Sequence, residues 1–158
     1  MKWLWVSVAV VLLDQFSKLW ADSALELHRS IELIPSLAIR KVYNSGAAFS
    51  FLGNASGWQR WFFIALAVLV TGVLTVWLYR LPRNQLRTAL ALSLVLGGAV
   101  GNLIDRVFYG YVIDFIDVYY ASWHWPTFNV ADSAITVGAA LLLLDAFTSH
   151  KKDETNRA

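Results

Sequence analysis

Cysteine is absent from this 158-residue chain, which removes disulfides, thiolate nucleophiles and cysteine-ligated metals together. Histidine is nearly as scarce. His28, His124 and His150 lie far apart and form no metal-ligand motif, so no histidine-held metal is expected. Charge is thin as well: only 15% of residues are charged, against 58% hydrophobic and a mean hydropathy of +0.52. A soluble domain of this size is not built that way, and membrane-embedded helices are the natural consequence. The net charge of +2 and pI near 9.0 do not point to nucleic acid, because the basic residues are scattered among apolar runs.

Four segments are long and apolar enough to cross a bilayer, at about residues 3–20, 61–79, 89–107 and 130–147. Trp and Tyr gather at their ends, where aromatic rings favour the headgroup layer. The short loop between the second and third spans contains Arg80, Arg83 and Arg87, Lys2 lies at the N-terminus, and Lys151, Lys152 and Arg157 lie in the C-terminal tail. The positive-inside rule then puts both termini and that loop in the cytoplasm, with residues 22–60 and 108–129 outside. Lys2 and the run to Leu13 also fit a secretory signal, but Asp14, Gln15 and Lys18 follow at once without an Ala-x-Ala site. A retained helix is the expectation. Residues 31–52 hold β-favouring side chains broken by Pro35 and Asn44-Ser45-Gly46, which predicts short strands or a small sheet on the outer face. Residues 108–128, rich in Tyr and Trp but broken by Gly110 and Pro126, read as a partly buried loop.

With this topology Asp14, Lys18, Asn102, Asp105, Arg106, Asp114, Asn129 and Asp132 fall in one layer near the outer ends of the helices. A charge at the bilayer centre costs about 2.5–3.5 kcal/mol on insertion scales, so these groups should face one another around a polar pocket. Asp14 and Lys18, one turn apart, read most simply as a structural ion pair. Asp105 and Arg106 are adjacent and point to different sides. Gly97-Gly98-Ala99-Val100-Gly101 favours close helix packing. Asp117 reads as solvated in the outer loop, and Asp145 as interfacial near the cytoplasmic end. Asp114 and Asp132, each in an aromatic, apolar setting, suit either a proton-sharing pair that activates water or a proton relay. A small proton-coupled transporter and a non-catalytic assembly factor therefore stay open on the residues alone.

Five blocks narrow the choice: Asp14-Gln15-Phe16-Ser17-Lys18, Asn44-Ser45-Gly46-Ala47-Ala48-Phe49-Ser50, Gly97 through Arg106, Val112-Ile113-Asp114-Phe115, and Phe128 through Ala134. In this order, over nearly the whole chain, they resemble the signature blocks of the bacterial lipoprotein signal peptidases (signal peptidase II). Each block alone is weak; together they are specific. The resemblance implies an α-helical integral membrane protein of four transmembrane helices with a small extracytoplasmic β-sheet forming a cradle. An outer helix or loop is expected to close over the substrate, and residues 1–158 are expected to form a single membrane-embedded peptidase domain. It further implies an aspartyl endopeptidase of the bacterial inner membrane that acts without a cofactor, near the outer face, on prolipoproteins carrying a diacylglyceryl-cysteine. Membrane lipids are its other partners, and a monomer is expected. The catalytic pair carries over as Asp114 and Asp132. Asn44, Asn102, Asp105, Arg106 and Asn129 match positions that line or support the pocket, and Asp14 and Lys18 match a block whose role is chiefly structural.

Overall fold

The computed structural model describes residues 2–46 and 57–155, with side chains up to residue 147. The expected outer helix or loop, and the second block beyond Gly46, fall largely on residues 47–56, outside the described residues. Four helices, α1 (Leu4–Ala24), α2 (Trp58–Arg80), α3 (Leu86–Phe108) and α4 (Val130–Thr155), are each long and apolar enough to span a membrane. At 1.5 Å per residue, the 23 residues of α2 and of α3 each extend about 35 Å, enough for a hydrocarbon core of about 30 Å.

The third helix is the axis of the bundle, and its small residues make it so. A Cβ on Gly97 would lie 2.7 Å from Val10 Cβ and 2.8 Å from the Ser7 carbonyl of α1. One on Gly98 would press on the Ala131 carbonyl oxygen of α4, and one on Gly101 would lie 2.5 Å from Asp14 Oδ2. From the other side, Gly138 of α4 sits where a Cβ would lie 2.7 Å from the Ala91 carbonyl. Close backbone approach is what holds helices together where lipid removes the hydrophobic drive between them. The buried face of α1 runs Ser7, Val10, Asp14, Lys18, Ala21, a single stripe at helical spacing. Leu12, Leu13, Phe16 and Leu19 point the other way and are exposed. These contacts make α1 and α3 parallel and α4 antiparallel to both.

A four-stranded antiparallel sheet, in the order β1-β2-β3-β4, caps one end of the bundle. Its strands are β1 (Ser30–Ile34), β2 (Leu37–Asn44), β3 (Val112–Tyr120) and β4 (Trp123–His124). The third corrects the reading of residues 108–128 as a loop. Val112-Ile113-Asp114-Phe115-Ile116-Asp117-Val118-Tyr119-Tyr120 is rich in β-branched and aromatic residues, and it forms a central strand buried over most of its first six residues. Asp117 is corrected with it. It is not solvated but buried, with both carboxylate oxygens 2.9 and 3.1 Å from Nδ1 of half-exposed His124. Asp145 accepts a hydrogen bond from Thr88 Oγ1 at 2.5 Å, far along α4 from the outer layer.

Phe115 packs with Ala21 and Leu25, which seats the sheet on the end of α1. Lys41 Nζ donates to the Asp22 carbonyl at 2.7 Å and ties β2 to the same helix end. Phe128 then exchanges backbone bonds with Ile116, N–H to O at 3.0 Å and in return at 2.8 Å. That bridge pins the chain just before α4 against β3, and so brings two distant segments of sequence to one place.

Candidate active site

Asp114 stands on β3 because the register puts it there. Ile39 pairs with Ile116, but Val42 rather than Lys41 pairs with Asp114, so β2 carries one extra residue between them. The bulge turns the following residues over. Asn44, two positions past Val42 on the same face, reaches Asp114 on the diagonal, and its Nδ2 donates to Asp114 Oδ2 at 3.0 Å. The Asn44 Oδ1 accepts the Gly46 N–H at 3.0 Å, which fixes the amide's orientation.

Asp132 is placed by a helix cap. Asn129 precedes α4, and its Oδ1 accepts the Asp132 N–H at 2.9 Å while Asp132 Oδ2 accepts the Asn129 N–H at 3.3 Å. This is the reciprocal arrangement of a capping box. Asp14 Oδ1 takes the next free donor, the Ala131 N–H, at 2.9 Å. The first turn of α4 is thus held by two carboxylates and an amide, at the end where the helix dipole favours negative charge.

The same asparagines join the two aspartates. Asn129 Nδ2 donates to Asp114 Oδ1 at 2.7 Å and lies 3.2 Å from Asn102 Oδ1. Asn102 Nδ2 donates to Asp132 Oδ1 at 2.8 Å, and its Oδ1 accepts from Lys18 Nζ at 2.9 Å. Beneath this layer Lys18 forms ion pairs with Asp14 at 2.8 Å and Asp105 at 3.0 Å, all three side chains at most 2% exposed. Asp105 also accepts the Ile113 N–H at 3.1 Å, which joins the end of α3 to the start of β3. Asp105 and Arg106 do point apart: Arg106 turns to the cavity, donating to the Gly46 carbonyl at 3.0 Å with its guanidinium 5.1 Å from the Phe63 ring centre.

The eight polar residues expected in one layer therefore meet, with Asn44, in one connected cluster, while Asp117 and Asp145 lie outside it. Two others were given no role in the sequence. Gln15 Nε2 is 2.9 Å from Asp105 Oδ1, 3.2 Å from the Gly101 carbonyl and 3.2 Å from Asp14 Oδ2. Its place beside Asp14 and three residues before Lys18 was the available signal. Arg60 of α2 donates to the Arg106 and Val107 carbonyls at 2.9 and 2.7 Å, and caps the end of α3. No local pattern announces that contact.

Asp114 and Asp132 both line a cavity of about 750 Å³ between α2, α3 and α4. Phe63, Leu66 and Val70 of α2 form one wall, Ile135 of α4 another, and Trp125 and Phe128 the top. Burial, with the charge of Asp132 nearby, pushes the Asp114 carboxyl up to about 7, against the opposing pull of Asn44, Asn129 and Lys18. Among the described residues no cluster of three or more His, Asp or Glu is arranged to hold a metal ion.

Four apolar spans define a multi-pass membrane protein, with two carboxylates joined by an asparagine network on the wall of its apolar cavity. The profile of the family described as Signal peptidase (SPase) II matches residues 6–148. The lipoprotein signal peptidase of Pseudomonas syringae pv. tomato is 55% identical over 155 residues, covering 97% of this chain and 90% of its own. That of Alteromonas mediterranea is 50% identical over 159 residues, covering 100% of this chain and 87% of its own. A bacterial membrane enzyme solved at 2.3 Å resolution superposes with a TM-score of 0.85 at 32% identity, over 99% of this chain and 92% of that one. The chain belongs to the signal peptidase II family, and is a membrane-spanning protease.

Proposed function

We propose that this chain is an aspartyl endopeptidase that removes the signal peptide of diacylglyceryl-modified prolipoproteins, cutting just before the lipidated cysteine. The observation that carries this reading is the suspension of Asp114 and Asp132 from one asparagine network on the wall of an apolar cavity. Four carboxylates (Asp14, Asp105, Asp114, Asp132) face two cations (Lys18, Arg106) in this layer, which favours a proton shared within the pair.

Asp114, whose carboxyl is raised to about 7, holds that proton at rest. Asp132, at the positive end of α4 with N–H donors from Asn102 and Asn129, acts as the base. It takes a proton from water as the water attacks the scissile carbonyl; Asp114 donates its own toward the carbonyl oxygen. The proton gathered on Asp132 then goes to the leaving amine as the C–N bond breaks, Asp114 takes back a hydroxyl proton from the tetrahedral carbon, and the pair returns to its one-proton state. Asn44 and Arg106 hold the substrate backbone in line. Neither a metal nor an organic cofactor takes part in these steps. The apolar wall of α2 receives acyl chains and the signal helix, each buried CH₂ adding about 0.8 kcal/mol. The carboxylate layer lies near the outer face of the bacterial inner membrane and both termini are cytoplasmic, a reading supported by the basic loop and the basic residues near the termini. The enzyme acts as a monomer, in which residues 1–158 form one peptidase domain.

The test is a gel-shift assay on a lipidated prolipoprotein. Asp114→Asn and Asp132→Asn should each abolish cleavage while the protein still inserts and folds; turnover surviving either change overturns the pair. Alanine in place of asparagine guards against a variant that retains the hydrogen-bond geometry.

A further inference from the structure

A second cavity, of about 940 Å³, lies at the opposite end of the bundle from the carboxylates, between the start of α1, the end of α2 and the start of α3. It falls within the ~300–1,000 Å³ typical of ligand pockets, and the first cavity does not share its walls. Leu4, Val6, Leu78 and Leu86 give it an apolar interior. Lys2 and Arg83, from opposite sides of the chain's first turn and the α2–α3 loop, stand on its wall, and among the described residues that line it none is acidic. Asp145 of α4, which is not among the lining residues, is engaged by Thr88. Trp3 and Tyr79 also line it, the two ring types that settle at headgroup depth.

We propose that this cavity binds one anionic phospholipid, its phosphodiester held by Lys2 and Arg83 and an acyl chain laid against Leu4 and Leu78. The charge complementarity commits the occupant: two cations and no acid above an apolar slot match a lipid carrying a single negative phosphate, and a zwitterionic headgroup brings a cation that meets no carboxylate among the lining residues and sits beside Lys2 and Arg83. Lys2 offers three rotatable donors and Arg83 a planar fork, together sufficient for the free phosphate oxygens. By clamping α1 to α2 at the end where the sheet and Arg60 do not reach, the lipid acts as a third element of the bundle. The proposal does not depend on which peptide the carboxylate end cleaves.

Native mass spectrometry of the detergent-solubilised full chain tests it, with dioleoylphosphatidylglycerol, dioleoylphosphatidylcholine and inorganic phosphate as probes. Phosphatidylglycerol should be retained at least about tenfold more tightly than phosphatidylcholine, and Lys2→Ala/Arg83→Ala should erase that preference. Thr75→Trp, which fills the cavity and keeps both cations, should lower retention of the lipid as well. Arg80→Ala/Arg87→Ala removes equal charge from the same end but outside the lining, and should leave the preference in place. Equal retention of the two lipids, an unaffected Thr75→Trp, or equal loss in the Arg80/Arg87 variant each overturns the site. Competition by millimolar phosphate alone reassigns it to a free anion and overturns the lipid. Unchanged unfolding midpoints in lipid-free detergent establish that the variants are folded.

Discussion

Helices α2 and α3 have the same length, yet they occupy opposite situations. Over their most apolar windows 67% of α3 is buried and only 6% of α2, although α2 is the more hydrophobic of the two. In water the order would be reversed. Here the solvent is lipid, so the most apolar helix is left outside and the one with Gly97, Gly98, Gly101, Asn102 and Asp105 is taken in. The polar groups go with the small residues because both need protein around them: glycines for contact, carboxylates for partners.

The largest effect should come from giving the two helices the same extra methyls. Gly98 and Gly72 occupy comparable depths in sequence, but a Cβ at Gly98 would strike the Ala131 carbonyl and Ile135, whereas nothing lies within 4 Å of one at Gly72. Gly98→Val should therefore separate α3 from α4, displace the cap that positions Asp132, and eliminate both folded yield and cleavage. Gly72→Val should leave both near normal. Size-exclusion profiles and the gel-shift assay read the difference; a tolerated Gly98→Val would mean that α3 is not the axis.

Removal of a cation from each side sharpens the same contrast. Lys18→Ala leaves Asp14 and Asp105 buried without their partner, a change of about 3–5 kcal/mol against the folded state. Arg60→Ala of α2 loses two bonds to the α3 end, about 1.5–3 kcal/mol at most because one lies in exposed surroundings. Thermal unfolding in detergent should rank Lys18→Ala well below Arg60→Ala. The reverse ranking would mean that the Lys18 cluster is held by something other than charge pairing.

How much of this was legible in the chain follows from the same physics. Spans are long-range averages of hydropathy, so all four were readable; α1 runs a few residues further at its C-terminal end only, and α3 runs further at both. The layer of Asp14, Lys18, Asn102 and Asp132 was readable because helical rise fixes depth. Strand β3 was not, because its Tyr and Trp neighbours and Gly110 imitate an interfacial loop, and its pairing partner lies some seventy residues away in the sequence. Asp117 went wrong for that reason: solvation was inferred from a loop that is a strand. The β2 bulge and the Arg60 cap are tertiary facts with no local signature. Depth, in short, was written in composition, while lateral neighbours were not.

On the buried side of the comparison, pH offers a finer probe. A carboxyl raised to about 7 keeps its proton in acid and loses it as pH climbs through that value, so Asp114 then has no proton to donate. Cleavage should accordingly fall on the alkaline side with a limb near pH 7. Asn44→Ala removes a bond that favours the ionised Asp114, and so should carry the limb to higher pH. A limb that moves down or stays would reject Asn44 as a partner of the charged form.

The smallest effect belongs to the exposed helix. Phe63 is the α2 ring that meets the charged layer, with the Arg106 guanidinium 5.1 Å from its centre. Phe63→Leu keeps the wall apolar and removes only the ring face, a loss of about 0.5–1 kcal/mol for a cation–π contact. Because α2 contributes wall rather than proton-transfer groups, the loss should enter through substrate binding: KM for a lipidated prolipoprotein rises by about two- to fivefold and kcat stays put. A fall in kcat at constant KM would place Phe63 in the reacting geometry through Arg106. The two helices would then differ less in role than their burial indicates.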